Sequence, residues 1–159
     1  MSKLRIYLIN PRCGGFSFLE LIVTVAIISV LAMFAFDSYR ERREKTDRLR
    51  AAADIAMIQS KVNNYYMETM ELPDSLNEIN ISGIEKDPWG TPYVYVKLAD
   101  IKGNGGARKD KNLVPINTDY DLYSKGPDKE SRNALTAKVS RDDIIRANNG
   151  GFIGLAEDY

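Results

Sequence analysis

The strongest constraint on this chain is a continuous apolar run that spans residues 16–36. Its sequence is FSFLELIVTVAIISVLAMFAF, and four of its residues are not apolar: Ser17, Glu20, Thr24 and Ser29. A helix rises about 1.5 Å per residue, so a run of this length reaches roughly 30 Å, the thickness of a bilayer's hydrocarbon core. The run therefore predicts a membrane span. A helix buried in a soluble core is the alternative, but such helices are usually shorter and rarely apolar on all sides.

Glu20 is the one charged residue within this run. An acidic side chain in the middle of a membrane helix costs about 2.5 to 3.5 kcal/mol on insertion scales, and more if it stays ionised without a partner. Two interpretations are open. Either Glu20 lies near enough to the end of the run for its carboxylate to reach the lipid headgroups, or it pairs with a cation inside the apolar layer.

The residues before the run supply a source for that cation. Residues 1–15 end in two glycines and carry three basic side chains: Lys3, Arg5 and Arg12. An ordinary secretory signal has its apolar core before the cleavage site, whereas here the apolar run follows. Cleavage between Gly15 and Phe16 would remove the leader, keep the apolar segment and create a new amine at Phe16. That amine would lie four residues from Glu20, about one helical turn away.

A basic leader, Gly15, the stretch Phe16-Ser17-Phe18-Leu19-Glu20 and a long apolar run follow one another here. This order resembles the class III signal of type IV pilins and of the pseudopilins of type II secretion systems. The resemblance implies that a membrane-embedded prepilin peptidase cuts after Gly15 and methylates the amine of Phe16. It also implies that Glu20 pairs with the terminal amine during filament assembly. The family usually has proline at the position of Asp37, where it kinks or melts the helix.

Charge and composition exclude several functional classes. Lysine plus arginine equals aspartate plus glutamate at 22 each, so bulk charge indicates no nucleic-acid partner. Loss of the leader would leave 22 minus 3 basic residues against 22 acidic ones, an excess of about three acids. The one cysteine, Cys13, lies in the leader and histidine is absent, which excludes a disulfide in the mature domain, His/Cys zinc sites and histidine catalysis. No paired carboxylates or serine constellation indicate an enzyme.

Residues 37–70 are expected to continue the helix out of the membrane. No proline or glycine occurs from Asp37 to Thr69, and alanine, arginine, glutamate, lysine and methionine dominate. Apolar residues recur at spacings of three and four, which places them on one stripe: Ala51, Ile55, Ile58, Val62 and Tyr65. The stripe predicts packing on this chain's own sheet. A coiled-coil seam is the alternative, but the repeat is short for one.

Residues 71–159 are predicted to form a small exterior domain with a C-terminal loop. Asp74 is expected to cap a short helical piece after Pro73. Alternating and β-forming side chains predict three strands, at residues 93–98, 120–124 and 152–155. Residues 100–112, rich in glycine, lysine and asparagine, are expected to be a mobile loop. A long N-terminal helix packed on a small antiparallel sheet is the α+β lollipop expected of pilins.

Two stretches of the exterior domain add a narrower resemblance. Residues 87–93, DPWGTPY, and 120–128, YDLYSKGPD, are similar to two hallmark stretches of the major pseudopilin of type II secretion. In that family the loop after the second stretch binds calcium, so the resemblance implies a calcium site formed by five residues: Leu122, Ser124, Asp128, Asp142 and Asp143. The first two would supply backbone carbonyls and the aspartates carboxylates, the hard oxygen ligands that calcium takes.

The same loop has a second interpretation that needs no metal. Residues 129–141 contain no glycine and add four cations: Lys129, Arg132, Lys138 and Arg141. Paired with Asp128, Asp142 and Asp143, these side chains would hold the loop by themselves.

The sequence and its resemblance predict a structural pseudopilin that polymerises into a periplasmic pseudopilus for type II protein secretion. We expect a single span in the inner membrane, with the exterior domain in the periplasm. The implied partners are further copies of the chain, other pseudopilins, the prepilin peptidase and the inner-membrane secretion platform. The alternative is a minor pilin of a type IV pilus that acts in adhesion, DNA uptake or electron transfer.

Overall fold

The computed structural model describes residues 15–101, 103 and 105–159. Residues 1–14 of the predicted leader therefore lie outside the described residues. The chain divides into two compact units, of which the first ends at Glu41 and the second spans Arg42–Tyr159. One long helix, α1 (Phe18–Thr69), contributes residues to both units, and everything after it belongs to the second.

Helix α1 runs for 52 residues and passes through Asp37 without interruption. The predicted segments 16–36 and 37–70 are therefore parts of one helix. Its continuity follows from the absence of proline and glycine and from the abundance of good helix formers. The helix ends at Thr69 because Met70 adopts a left-handed backbone, with φ at 60°, and Pro73 follows shortly after.

The N-terminal part of α1 is the one described segment that is long and apolar enough to cross a membrane. No residue of its most apolar stretch is buried within the chain. A helix of this kind near the N-terminus fits a single-pass membrane anchor.

The second unit contains a four-stranded antiparallel sheet in the order β1-β2-β3-β4. Its strands are β1 (Val94–Lys97), β2 (Tyr120–Ser124), β3 (Ile144–Ala147) and β4 (Phe152–Leu155). The register places Tyr95 opposite Leu122 and Tyr123 opposite Ile145. A long N-terminal helix together with this sheet confirms the predicted α+β, pilin-like layout.

Strands β1, β2 and β4 confirm the three predicted strands, with β1 one residue shorter at each end than predicted. Strand β3 is not among the predictions. Its pair Ile144-Ile145 precedes the turn-forming residues 148–151, Asn-Asn-Gly-Gly, and β4 follows at once. Two β-forming runs on either side of such a turn are a hairpin pattern, and this pattern is the signal that identifies β3.

Five short 3-10 helices complete the described elements: Leu76–Glu78, Leu98–Asp100, Lys138–Ser140, Asn148–Gly150 and Ala156–Asp158. The prediction that Asp74 caps the first of them is wrong, because the capping position is Ser75 and its side chain makes no capping bond. Asp74 instead forms an ion pair with Lys97, whose Nζ lies 2.7 Å from its Oδ1. Its side chain thus joins the turn after α1 to the end of β1.

The main core lies between α1 and the sheet. Four residues of the predicted stripe are fully buried: Ala51, Ile55, Ile58 and Val62. They cluster with residues that lead into or lie on the strands: Tyr93, Tyr120, Leu122 and Ile144. Tyr65 is partly buried beside them. Packing of the stripe on the chain's own sheet is therefore confirmed.

Two polar contacts join α1 to the same layer. The Tyr93 hydroxyl donates to Oδ2 of Asp54 at 2.9 Å, and both side chains are buried. Burial and the neighbouring Asp54 carboxylate raise the pKa of Tyr93, so its hydroxyl stays a donor. Arg146 of β3 donates from Nε to Oε1 of Gln59 at 2.8 Å and from Nη2 to Oδ2 of Asp119 at 2.6 Å.

The opposite face of the sheet carries a second, smaller core, because neighbouring strand residues such as Ile144 and Ile145 point to opposite faces. Its buried members are Ile116, Leu135, Ile145, Ala147 and Ala156. Ala107 and Arg108, which belong to the predicted mobile loop, are 5% and 2% exposed. Residues 107 and 108 are therefore packed rather than mobile, which corrects that prediction.

Candidate functional site

The predicted cleavage site lies at the start of the described chain. Gly15 and Phe16 precede α1 and are exposed, Phe16 at 77%. The amide of Leu21 donates to the Ser17 carbonyl at 3.1 Å, which marks the first turn of the helix. The bond between Gly15 and Phe16 is thus outside the helical hydrogen-bond pattern, as accessible cleavage sites usually are.

Glu20 lies in the first turn of α1 and is exposed. A carboxylate is favoured there by the helix dipole and by the unpaired amide groups of a helix start. The nearby Thr24 hydroxyl is already used, since it donates to the Glu20 carbonyl at 2.6 Å. None of the ion pairs between described residues includes Glu20. Both interpretations of Glu20 therefore stay predictions.

The apolar side chains of the first unit point outward on every side of the helix. All residues from 15 to 46 are exposed, including Phe18 at 78%, Ile28 at 59% and Phe36 at 70%. Soluble monomers rarely expose a continuous apolar surface of this extent. This half of the helix therefore needs cover from another molecule, either lipid or protein.

Two of the five predicted calcium ligands, Leu122 and Ser124, lie in β2. Leu122 is fully buried in the core between the sheet and α1. The Ser124 hydroxyl donates to Oδ2 of Asp87 at 2.6 Å and accepts from the amide of Gly126 at 3.1 Å. Ser124 thus connects the first hallmark stretch, which contains Asp87, to the second.

Asp143 is fully buried, and a guanidinium already occupies one of its oxygens. Its Oδ2 accepts from Nη2 of Arg108 at 2.5 Å and from the Ser131 hydroxyl at 2.6 Å. Burial raises the pKa of the Asp143 carboxyl to about 6, although Arg108 and Ser131 act in the opposite direction. At neutral pH the carboxyl is mostly ionised, and Arg108 is its counter-ion.

Asp128 and Asp142 face a different place, an open pocket of about 360 Å³. The pocket is also lined by three cations and a further acid: Arg48, Lys138, Arg141 and Glu157. Burial and the Asp128 carboxylate raise the pKa of Asp142. The backbone at Gly126 lies close to the backbone of Asp142. A Cβ on Gly126, whose φ is +67°, would lie 2.5 Å from the Asp142 carbonyl oxygen, so this position requires glycine.

The predicted ligands therefore do not form one oxygen cage. No group of three or more His, Cys, Asp or Glu side chains among the described residues is arranged to hold a metal ion. Asp143 points to Arg108, whereas Asp128 and Asp142 share their pocket with cations that oppose a divalent ion. Calcium takes six to eight hard oxygens, and this donor set does not fit that demand. Calcium binding stays a prediction from the resemblance.

The metal-free interpretation expects the cations of residues 129–141 to pair with the three loop aspartates. None of the ion pairs between described residues joins the loop cations to the three loop aspartates. The cation that pairs with Asp143 is Arg108, from the stretch before β2. Sequence reasoning missed Arg108 because nothing local marks a residue 35 positions away from its partner.

Comparison with known proteins gives matches in both halves of the chain. The family model described as the prokaryotic N-terminal methylation motif matches residues 10–36. Type II secretion system core protein G of Escherichia coli (strain K12) is 31% identical over 136 residues, an alignment that covers 73% of this chain and 83% of the relative.

The chain belongs to the family of type II secretion system core protein G. The resemblance to the major pseudopilin is therefore confirmed. The member of this family from Vibrio cholerae is 26% identical over 105 residues, covering 54% of this chain and 72% of the relative. Type IV major pilin protein PilA of Myxococcus xanthus is 27% identical over 79 residues, covering 50% of this chain and 36% of that pilin. No solved structure matches the chain.

Proposed function

We propose that this chain is a structural subunit that polymerises into the periplasmic pseudopilus of a type II secretion system. The observation that carries the proposal is the similarity to core protein G, which spans 83% of the Escherichia coli relative and thus includes the exterior domain. The matched N-terminal methylation motif supports the same role. The role is structural and requires no catalytic residue in this chain.

The two units of the chain supply the two parts of this role. The apolar half of α1 holds the subunit in the inner membrane before assembly and lies in the filament afterwards. Both surroundings satisfy its outward-facing apolar side chains, which the chain itself leaves uncovered. The exterior unit, Arg42–Tyr159, lies in the periplasm and forms the surface of the filament.

Processing prepares the N-terminus for assembly. A prepilin peptidase removes residues 1–15 and methylates the amine of Phe16, at a site that is exposed and precedes the helix. The Glu20 carboxylate, which has no cationic partner among the described residues, then pairs with the terminal amine when the subunit leaves the lipid. The partners are further copies, other pseudopilins and the inner-membrane secretion platform.

Replacement of Glu20 by alanine tests this mechanism. We expect Glu20→Ala to be cleaved and methylated normally, because the Gly15–Phe16 bond is unchanged, but to enter filaments about tenfold less or worse, since a buried charge loses its partner. Intact-mass measurement of the membrane-extracted chain reports processing, and the amount in sheared filaments reports assembly.

Ser29→Ala is the matched control for this experiment. The Ser29 hydroxyl donates to the Val25 carbonyl within the same helix at 2.7 Å, so its loss removes a polar group but no charge. We expect this variant to be processed and assembled like the wild type. Normal assembly of Glu20→Ala would disprove the pairing, and a mass that still contains residues 1–15 in the wild type would disprove the processing.

A minor pilin of a type IV pilus is the second candidate. The similarity to the Myxococcus xanthus pilin favours it, but that similarity covers only 36% of the pilin, against 83% of core protein G from Escherichia coli. A strain that lacks this chain separates the two. Loss of exported enzymes from the medium with normal surface pili supports the pseudopilus, and the reverse result supports the pilus.

A further inference from the structure

Arg108 is a buried cation with a fixed set of partners. Its side chain is 2% exposed, and its Cζ lies 4.0 Å from the centroid of the Tyr123 ring, on the sheet face opposite α1. Nη2 donates to Oδ2 of Asp143 at 2.5 Å, and Nη1 donates to the Ser131 hydroxyl at 2.7 Å. Ser131 in turn donates to the same Asp143 oxygen at 2.6 Å. The guanidinium thus has an ionic, a polar and an aromatic partner.

These contacts join three segments that are distant in sequence. Arg108 lies before β2, Ser131 lies in the loop between β2 and β3, and Asp143 is the residue before β3. A backbone bond also holds Arg108 against the sheet, since its amide donates to Oδ2 of Asp121 on β2 at 2.7 Å. One side chain therefore closes the loop of residues 129–141 against the sheet.

Backbone bonds of the next residue reinforce this closure. The amide of Lys109 donates to the Asn133 carbonyl at 2.7 Å, and the amide of Leu135 donates to the Lys109 carbonyl at 2.9 Å. Leu135 belongs to the second core. Residues 108 and 109 thus hold the middle of the loop as well as its end, and burial of the loop depends on the position of Arg108.

The buried Asp143 carboxylate needs a cation beside it. A fully buried, ionised carboxylate is unfavourable unless a cation and hydrogen bonds accompany it. Among the described residues, Arg108 is the basic side chain within ion-pair distance of Asp143. Nε of Arg108 and Oδ1 of Asp143 are buried without partners. In a bidentate arginine–carboxylate pair, these two atoms form the second hydrogen bond.

We propose that the Arg108 guanidinium is the built-in cation of this loop, in the role that a divalent metal would otherwise have, so that the exterior unit folds without calcium. The guanidinium neutralises Asp143, orients Ser131 and closes the loop. A divalent ion at Asp143 would lie beside a buried positive charge that already occupies Oδ2, and the two charges would repel each other. The remaining aspartates of the loop share their pocket with Arg48, Lys138 and Arg141.

Thermal unfolding of the full chain in detergent micelles, in millimolar calcium and in excess chelator, tests this proposal. We expect the wild type to have the same Tm in both conditions, because no part of the fold depends on the metal. Arg108→Gln should lower the Tm by roughly 10 °C or more in both conditions, since it leaves a buried carboxylate unpaired.

Arg132→Gln is the matched control. Arg132 lies in the same loop, is exposed, and takes part in none of the ion pairs between described residues. Like Arg108→Gln, its replacement removes one positive charge from the exterior unit, and we expect its Tm to stay within about 2 °C of the wild type. The comparison separates the effect of the position of Arg108 on the Tm from the effect of the net charge of the exterior unit.

A double-mutant cycle keeps the proposal testable if Arg108→Gln unfolds. Asp143→Asn removes the buried charge, so the double variant Arg108→Gln, Asp143→Asn should be more stable than Arg108→Gln alone. A double variant that is as unstable as Arg108→Gln, or less stable, would contradict the ion pair. A wild-type Tm that rises by several degrees in calcium and falls in chelator would overturn the metal-free fold. Equal effects of Arg108→Gln and Arg132→Gln would overturn the role of Arg108.

Discussion

The two halves of α1 belong to one continuous helix but meet different surroundings. Before Arg42, every described residue of the helix is exposed, although nearly all are apolar up to Phe36. From Arg42 onward, four apolar residues on one stripe are fully buried and the rest of the surface is largely polar. The first half therefore depends on a neighbour or on lipid for its burial, and the second half depends on the chain's own sheet.

The difference shows that the hydrophobic pattern of a helix specifies how many of its sides must be buried against a partner or lipid. An apolar stripe at spacings of three and four fits a single flat partner, which the sheet supplies. A surface that is apolar all round needs cover on every side, which a small domain cannot give. Substitutions of the same kind in the two halves should therefore have unequal effects on the exterior unit.

The largest difference is expected for a pair of isoleucines. Ile58 is fully buried in the main core, whereas Ile28 is 59% exposed in the first half. Ile58→Ala should lower the free energy of unfolding of the exterior unit by about 2 to 5 kcal/mol, because it removes buried atoms and leaves a cavity. Ile28→Ala should leave that free energy unchanged. Chemical denaturation in detergent micelles, followed by tryptophan fluorescence of Trp89, measures both. Equal effects would mean that the halves are one cooperative unit.

A smaller difference is expected for a pair of tyrosines. Tyr93→Phe removes the hydroxyl that donates to the buried Asp54 at 2.9 Å, which should cost about 1 to 3 kcal/mol of unfolding free energy. Tyr39→Phe removes a hydroxyl in the first half, where the side chain is 63% exposed, and should cost almost nothing. The same denaturation experiment compares them. A neutral Tyr93→Phe would show that Asp54 finds another partner.

The smallest effect on the exterior unit is expected at Asp37. Asp37→Pro removes one helical hydrogen bond and brings the proline ring against the carbonyl of Met33, which costs the helix about 3 kcal/mol locally. Because this break lies before Arg42, where the exterior unit begins, the unfolding free energy of that unit should change by less than about 0.5 kcal/mol.

Hydrogen exchange locates the break that Asp37→Pro introduces. Amides of residues 33–41 should exchange faster than in the matched variant Asp37→Ala, while those of Ile55 and Ile58 should not change. Faster exchange at the stripe would indicate that strain passes along the helix into the exterior unit, and the comparison of the two halves would then fail.

The parts of the molecule that sequence reasoning predicted depend on local patterns. The apolar run, the stripe from Ala51 to Val62, and strands β2 and β4 were each recognisable within a window of a few turns or one strand. Strand β3 was missed because one of its residues is the charged Arg146 and because it follows two aspartates. The prediction that Asp74 caps a helix was wrong for a different reason: its side chain pairs with Lys97, which is distant in sequence, instead of making a local capping bond.

The site in the exterior unit depends on contacts that no local pattern contains. The aspartates expected to share one metal separate in the fold, with Asp143 directed to Arg108 and Asp128 directed to an open pocket. Arg108 itself lies in a stretch whose glycines and lysines indicated a mobile loop. Arg108 is buried because the neighbouring Lys109 pairs with the loop: the amide of Lys109 donates to the carbonyl of Asn133.

Local sequence alone accounts for the cleavage motif, the apolar run with Glu20 and the single helix, because each depends on residues within one or two turns of one another. Which cation neutralises Asp143 was decided only by the tertiary structure. The reason is that a buried charge takes whichever opposite charge the folded chain places within about 4 Å, and sequence distance does not enter that choice. Here the fold places Arg108 there, 35 residues away in sequence.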